Sequence, residues 1–173
     1  MHGRRATTEI DEDWEELCFL NELLVVLQKS VWREFARMQR RETMQLSMIH
    51  HVAIIVSDYE KAKEFYVEKL GFEVIRENFR EEREDWKLDL RIGKGPEATE
   101  LEIFAEKNPP KRVNRPEACG LRHLAFRVDD IEAVVQELKM LGIECEPIRR
   151  DTYTDKKMTF LFDPDGLPLE LHE

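Results

Sequence analysis

The sequence predicts an α+β fold in which a long N-terminal helix precedes two βαβββ modules built to one plan. Three observations predict it. Residues 1–47 carry a single helical stripe, the remainder repeats itself at an offset of 72 residues, and its short apolar runs alternate with the period of a strand.

The helix comes first. Trp14, Leu17, Leu20, Leu24, Leu27, Val31, Phe35 and Met38 recur every three or four positions, which aligns them along one face. The segment is acidic from Glu9 to Glu22, basic from Lys29 to Arg41 and free of Pro, an order that suits the helix dipole. Two readings apply: a dimerisation or docking helix, and a loosely packed extension without chemistry of its own, the second being preferred.

The first module spans 48–106 and the second 120–173. His51, Ala53, Val56, Asp58 and Glu60 lie over His123, Ala125, Val128, Asp130 and Glu132, and Leu70-Gly71 answers Leu141-Gly142. Each module opens on an alternating strand. Ser57 with Glu60, and Asp129 with Glu132, have the spacing of a capping box. The helix that follows has an apolar stripe (Ala62, Phe65, Tyr66, Leu70; then Ile131, Val134, Val135, Leu138, Leu141), and Gly71 and Gly142 stand where a helix ends. Three strands complete each module, near 72–78, 86–92 and 99–104, then near 143–148, 158–162 and 167–172. Lys107 to Gly120, with Pro109, Pro110 and Pro116, reads as the connecting loop, and Asp163-Pro164-Asp165-Gly166 as a turn.

Alternation also sorts the polar residues. Leu167, Leu169 and Leu171 share one face of the last strand, so Glu170 projects from the other; Glu102, between Leu101 and Ile103, has the same setting. His51 and His123 oppose the apolar faces of their own strands. All four residues therefore point away from the helix-packed side, onto what would be the concave face of the sheet. Each module supplies one His and one Glu, 51 and 47 residues apart. Imidazole and carboxylate groups on a partly buried face are costly unless paired or metal-bound, and two of each offset a dication while leaving room for substrate. Nickel, zinc, cobalt, manganese and iron(II) all suit such a set. Other candidates are secondary. His50 alternates onto the apolar side, His172 lies one residue from the end, and Trp86, Lys87, Tyr153, Lys156 and Lys157 are possible contacts for an anionic or aromatic substrate.

Composition excludes some classes of function. A formal charge of -10 repels phosphate backbones and anionic bilayers, so neither nucleic acid nor membrane is expected as a partner. Cys18, Cys119 and Cys145 form an odd set without Cys-x-x-Cys spacing, which argues against a disulfide framework and a thiolate zinc site. The longest apolar run, Leu23 to Leu27, is far too short to span a membrane and lacks a basic front, so a cytoplasmic location is expected.

From Met48 to Glu173 the chain resembles the vicinal oxygen chelate superfamily, which includes glyoxalase I, extradiol dioxygenases, methylmalonyl-CoA epimerase and fosfomycin-resistance proteins. The likeness rests on His51-Val-Ala-Ile with Asp58 and Phe65-Tyr66, on Leu70-Gly71-Phe72, on Gly120-Leu-Arg-His123-Leu-Ala-Phe, and on Asp163-Pro-Asp-Gly-Leu-Pro-Leu-Glu170. The resemblance implies a cupped mixed sheet around a metal site, with His51, Glu102, His123 and Glu170 as ligands and Glu170 or Glu102 as proton shuttle. A His-Glu-His-Glu set looks most like bacterial glyoxalase I. It implies a lactoylglutathione lyase-like lyase or isomerase acting by enediolate-type proton transfer on a small hydroxy-carbonyl substrate, with a thiol such as glutathione as possible partner and a homodimer as the assembly. A metal-dependent epimerase, a thiol or water transferase, and a non-catalytic small-molecule-binding protein are the alternatives on the same fold. After Glu102 stand Ile103-Phe104-Ala105-Glu106, where glyoxalase I typically has Leu-Thr-x-Asn. The segment Arg115-Pro-Glu-Ala-Cys-Gly-Leu-Arg-His123-Leu-Ala-Phe and the ending Leu167-Pro-Leu-Glu170 look closer to small, stand-alone bacterial glyoxalase-like proteins.

Overall fold

The structure, a computed structural model, describes residues 10–43 and 46–173, and within the long helix the side chains of 19–38. The chain divides into two compact units, Met1–Met48 and Ile49–Glu173. In the first, α1 runs unbroken over Ile10–Thr43, carrying Leu20, Leu24, Leu27, Val31, Phe35 and Met38 along one stripe. Trp14 and Leu17, the other members of the expected stripe, lie outside the described side chains.

The second unit follows the duplicated plan. Strand β1 (His51–Val56) leads through α2 (Tyr59–Lys63), which continues as a π-helical turn over Glu64–Lys69, into β2 (Glu73–Arg80), β3 (Asp85–Ile92) and β4 (Thr99–Ala105). Then β5 (Leu124–Arg127) leads through α3 (Ile131–Met140) into β6 (Arg149–Arg150), β7 (Lys157–Phe162) and β8 (Pro168–His172). Each module forms its own four-stranded mixed sheet, in the orders β1-β4-β3-β2 and β5-β8-β7-β6, with the first strand parallel to the last. Both first strands keep a free edge, and among the described strands none hydrogen-bonds across it.

The helix signals are correct in kind and off by one in place. Asp58 and Asp130, not Ser57 and Asp129, are the N-caps, accepting hydrogen bonds from the backbone N–H groups of Lys61 and Ala133. Ser57 donates instead to the Asp165 carboxylate across the module boundary. At the other end of α3, Gly142 has φ of 75°, and the N–H groups of Ile143 and Gly142 reach the Leu138 and Lys139 carbonyls in a Schellman arrangement.

A strand over 143–148 is not formed. Only Arg149–Arg150 pairs in ladder fashion with β7, while Glu146 donates a lone backbone hydrogen bond to Phe160. Pro147 explains this, because it has no N–H to offer a ladder.

One core serves both modules. Tyr66, Leu88, Leu90, Leu101 and Ile103 belong to the same buried cluster as Ile131, Leu161 and Leu169, and Phe72 meets Phe126 across the boundary. The turn at 163–166 does more than reverse the chain. The Asp163 carboxylate accepts from the Tyr66 hydroxyl at 2.9 Å and from the Leu167 and Asp165 N–H groups, which locks the last strand of one module to the helix of the other. Burial pushes the Asp163 carboxyl up, against the opposing pull of these donors.

Candidate metal centre and adjoining cavity

Register gives the two modules equivalent half-sites. In the first sheet Ala53 lies opposite Glu102, two residues after His51; in the second, Ala125 lies opposite Glu170, two residues after His123. Neighbouring residues β1 Ile54 and Val56 and β4 Leu101 and Ile103 turn into the core, which leaves His51 and Glu102 on the open face. His51 Nε2 stands 3.8 Å from Glu102 Oε2, and His123 Nε2 stands 2.9 Å from Glu170 Oε2.

The surroundings of the two carboxylates differ. Glu102 Oε1 accepts from the Lys87 ammonium at 2.8 Å, and Lys87 also donates to Asp89, which Arg76 approaches from the far side at 2.7 Å. This ionic row lies across β2, β3 and β4, with Asp89 directly opposite Glu102 in the ladder. Burial pushes the Asp89 carboxyl up, but hydrogen bonds from Lys87 and Arg76 outweigh that and hold it below the usual carboxylate range. Opposite Glu170 stands Phe160 instead, whose ring also meets His123 edge-on at 5.4 Å. Glu170 is only 8% exposed. The Nδ1 atom of His123 is buried with no hydrogen-bond partner among the described residues, an unsatisfied polar group of the kind that calls for an explanation.

Nitrogen and oxygen donors of this kind suit a divalent ion, and each half-site fits as half of such a centre. Neither fits alone, because a catalytic ion takes three or more protein ligands. Among the described residues no three of His, Cys, Asp and Glu gather closely enough to hold one. The chain thus brings His51 to Glu102 and His123 to Glu170 without uniting the pairs.

The remaining sequence candidates are placed as follows. His50 is exposed and its Nδ1 lies 3.0 Å from that of His51, beside the half-site rather than in the core. His172 is held in β8 opposite Met158, and its carbonyl accepts from Val128, so the strand does not fray there. Trp86 stacks on Tyr59, Lys157 pairs with Glu132, and Tyr153 is almost wholly exposed. Lys87 alone of that group joins the site, as partner of Glu102.

Sequence reasoning missed a second feature. A cavity of about 480 Å³ opens beside His123, walled by Phe160, Phe162 and Pro168 and rimmed by Arg112, Arg115, Arg122 and Arg149. Its signal was the run of arginines through the connector, which reads as an ordinary loop until the fold brings it over the second sheet.

Comparison with known proteins adds to this geometry. Residues 48–171 match the model of the Glyoxalase/Bleomycin resistance protein/Dioxygenase superfamily, whose members include enzymes and non-enzymes and commonly hold divalent metal ions. The uncharacterized protein YwkD of Bacillus subtilis is 58% identical over 130 residues, 75% of this chain and 99% of that one. The crystal structure of a glyoxalase family protein from Enterococcus faecalis is 60% identical, with a TM-score of 0.70, over 75% of this chain and all of that one. More distantly, a 2-epi-5-epi-valiolone epimerase of Actinomyces sp is 30% identical over 71% of this chain and 77% of its own length. A lactoylglutathione lyase of Escherichia coli O157:H7 is 28% identical over 71% and 90%. Among the described residues no helix is long and apolar enough to cross a membrane.

Proposed function

Because this chain belongs to the Glyoxalase/Bleomycin resistance protein/Dioxygenase superfamily, we propose that it is a metal-dependent lyase or isomerase of the glyoxalase type, transferring a proton on a small hydroxy-carbonyl substrate. The observation that carries this reading is the His-Glu pair repeated in register in both modules. His51 and Glu102 of one copy, with His123 and Glu170 of a second, would hold the ion. Two free strand edges support the second copy, since an exposed edge is a template for pairing. The exposed Ile55 on the open face of β1, and an apolar groove of about 530 Å³ lined by Phe72, Ile92, Phe126 and Leu141, support it further.

When bound, the divalent ion would polarise adjacent substrate oxygens and ease loss of the neighbouring proton. Glu170 is the better placed proton acceptor. Lys87 already occupies one oxygen of Glu102, whereas Glu170 among the described residues meets only His123, which leaves its second oxygen free. The carboxylate is buried, with Phe160 opposite it in the ladder. Glu102, held by Lys87, then serves as a fixed ligand. Return of the proton to the opposite face of the same carbon would make the reaction an epimerisation, a second reading favoured by the epimerase relative. A cytoplasmic protein using a thiol such as glutathione is the form of the first reading closest to the lyase relative.

Metal content after purification and turnover of the methylglyoxal-glutathione adduct test the proposal together. Glu170→Gln is expected to slow proton transfer by about a hundredfold or more, His51→Ala to abolish metal binding and Glu102→Gln to lower it. Undiminished metal in His51→Ala, Glu102→Gln and Glu170→Gln alike would overturn the centre. Metal retained with no turnover of that adduct would favour the epimerase.

A further inference from the structure

The cavity beside His123 has a charge at odds with the chain that forms it. Four arginines and two glutamates line it, in a protein of net charge -10. Arg122 pairs with Glu117, and Arg149 with Glu146 while its guanidinium lies over the Phe160 ring. That leaves Arg112 and Arg115 without a carboxylate partner among the described residues.

The two have different tasks. Arg112 is spent on structure: its Nε donates to Asn114 and its Nη2 to the carbonyls of Leu121 and Arg122, immediately before His123. Asn114 in turn donates to the Gly166 carbonyl at 2.8 Å, so the connector is pinned to the turn that delivers β8. All of these partners are neutral, and the positive charge stays in the cavity. Arg115 follows on the same pinned segment, its fork of donors uncommitted among the described residues. A guanidinium in that state matches a carboxylate or phosphate, which takes two parallel N–H···O bonds.

We propose that the substrate is a small molecule bearing a carboxylate or phosphate group, bound by Arg115, with its apolar middle against Phe160, Phe162 and Pro168 and its reacting end at His123 and Glu170. Arg112 positions the connector. A volume of about 480 Å³ is in the range of small-molecule sites and too small for a polymer. This inference rests on the glyoxalase-type reading for the reacting end, but the anion site stands on its own residues.

The experiment is titration of the full chain, metal-free and metal-loaded, with inorganic phosphate, malonate and the uncharged malonamide, followed by calorimetry. Saturable binding of phosphate or malonate is expected, and none of malonamide. Response to phosphate alone assigns a phosphate ester; response to malonate alone, a carboxylate. In the metal-free chain Arg115→Gln should weaken the anion by about tenfold or more, the loss of a charge-assisted hydrogen bond, and Arg115→Lys should restore part of it. Arg115 has no partner to lose among the described residues, so an unchanged melting curve is expected for both variants. If the chain binds no metal yet its anion binding depends on Arg115, the glyoxalase-type reading falls and the anion site stands. If metal binds but phosphate and malonate bind Arg115→Gln as they bind wild type, or bind neither protein, the anion site is overturned.

Discussion

Glu102 and Glu170 hold the same place in the register of their sheets and meet opposite company: an ammonium on one, an aromatic ring on the other. The ionic row beside Glu102 turns on Asp89, which is 1% exposed and bonded by both Lys87 and Arg76. With its folded-state pKa held down, Asp89 contributes stability above the unfolded carboxyl value of about 3.9 and loses it as pH falls through the lower folded value. Asp89→Asn is therefore expected to destabilise the fold by about 2 kcal/mol at neutral pH. That difference should shrink towards zero in acid, which urea titrations of both proteins from neutral pH downward would measure. A constant difference across the series would mean that packing, not charge, makes Asp89 matter.

Short elements rest on a few local bonds, and the caps are where these are easiest to isolate. Asp130 accepts from the Ala133 N–H at 3.0 Å, whereas Asp129 is exposed and outside the helix. Asp130→Ala should cost about 1 kcal/mol and Asp129→Ala only a few tenths, a contrast that urea unfolding of the two variants resolves. Both residues suit a cap by type, and Asp129 is the one followed three residues later by a carboxylate, Glu132. Spacing alone does not say which adopts the extended backbone that a cap needs, and that is why the expected box falls one residue early. The lost strand over 143–148 has the same origin. Its apolar alternation is genuine, with Ile143 buried, but Pro147 breaks the ladder.

At the scale of the whole molecule, the proposal that two copies share each centre makes a quantitative prediction. His51→Ala and His123→Ala should each abolish metal binding alone. Mixed after unfolding and refolded together, they form dimers of which half are hybrid, and one centre of each hybrid carries both lesions while the other is intact. By the two-fold symmetry of such a dimer, metal content should recover to about a quarter of wild type. Sedimentation would confirm the dimer, and elemental analysis the recovery. No recovery in a mixture shown to contain hybrid dimers would place each centre within one chain.

The four candidate ligands were legible in the sequence because strand alternation is a local property: once Leu101 and Ile103, or Leu169 and Leu171, are known to face the core, Glu102 and Glu170 must face away. The duplicated βαβββ plan was legible for the same reason, since it is written in the chain's own repeat. Tertiary structure alone decided who stands beside those four side chains. Lys87 and Phe160 are 15 and 10 residues from the carboxylates they flank, and only the pairing of β3 with β4 and of β7 with β8 sets them there. Arg112 and Arg115 lie in a connector with no periodicity to read, and reach the His123 cavity because Asn114 ties that connector to Gly166. Which face a side chain takes follows from its neighbours along the chain, whereas what it meets follows from register and packing between distant segments.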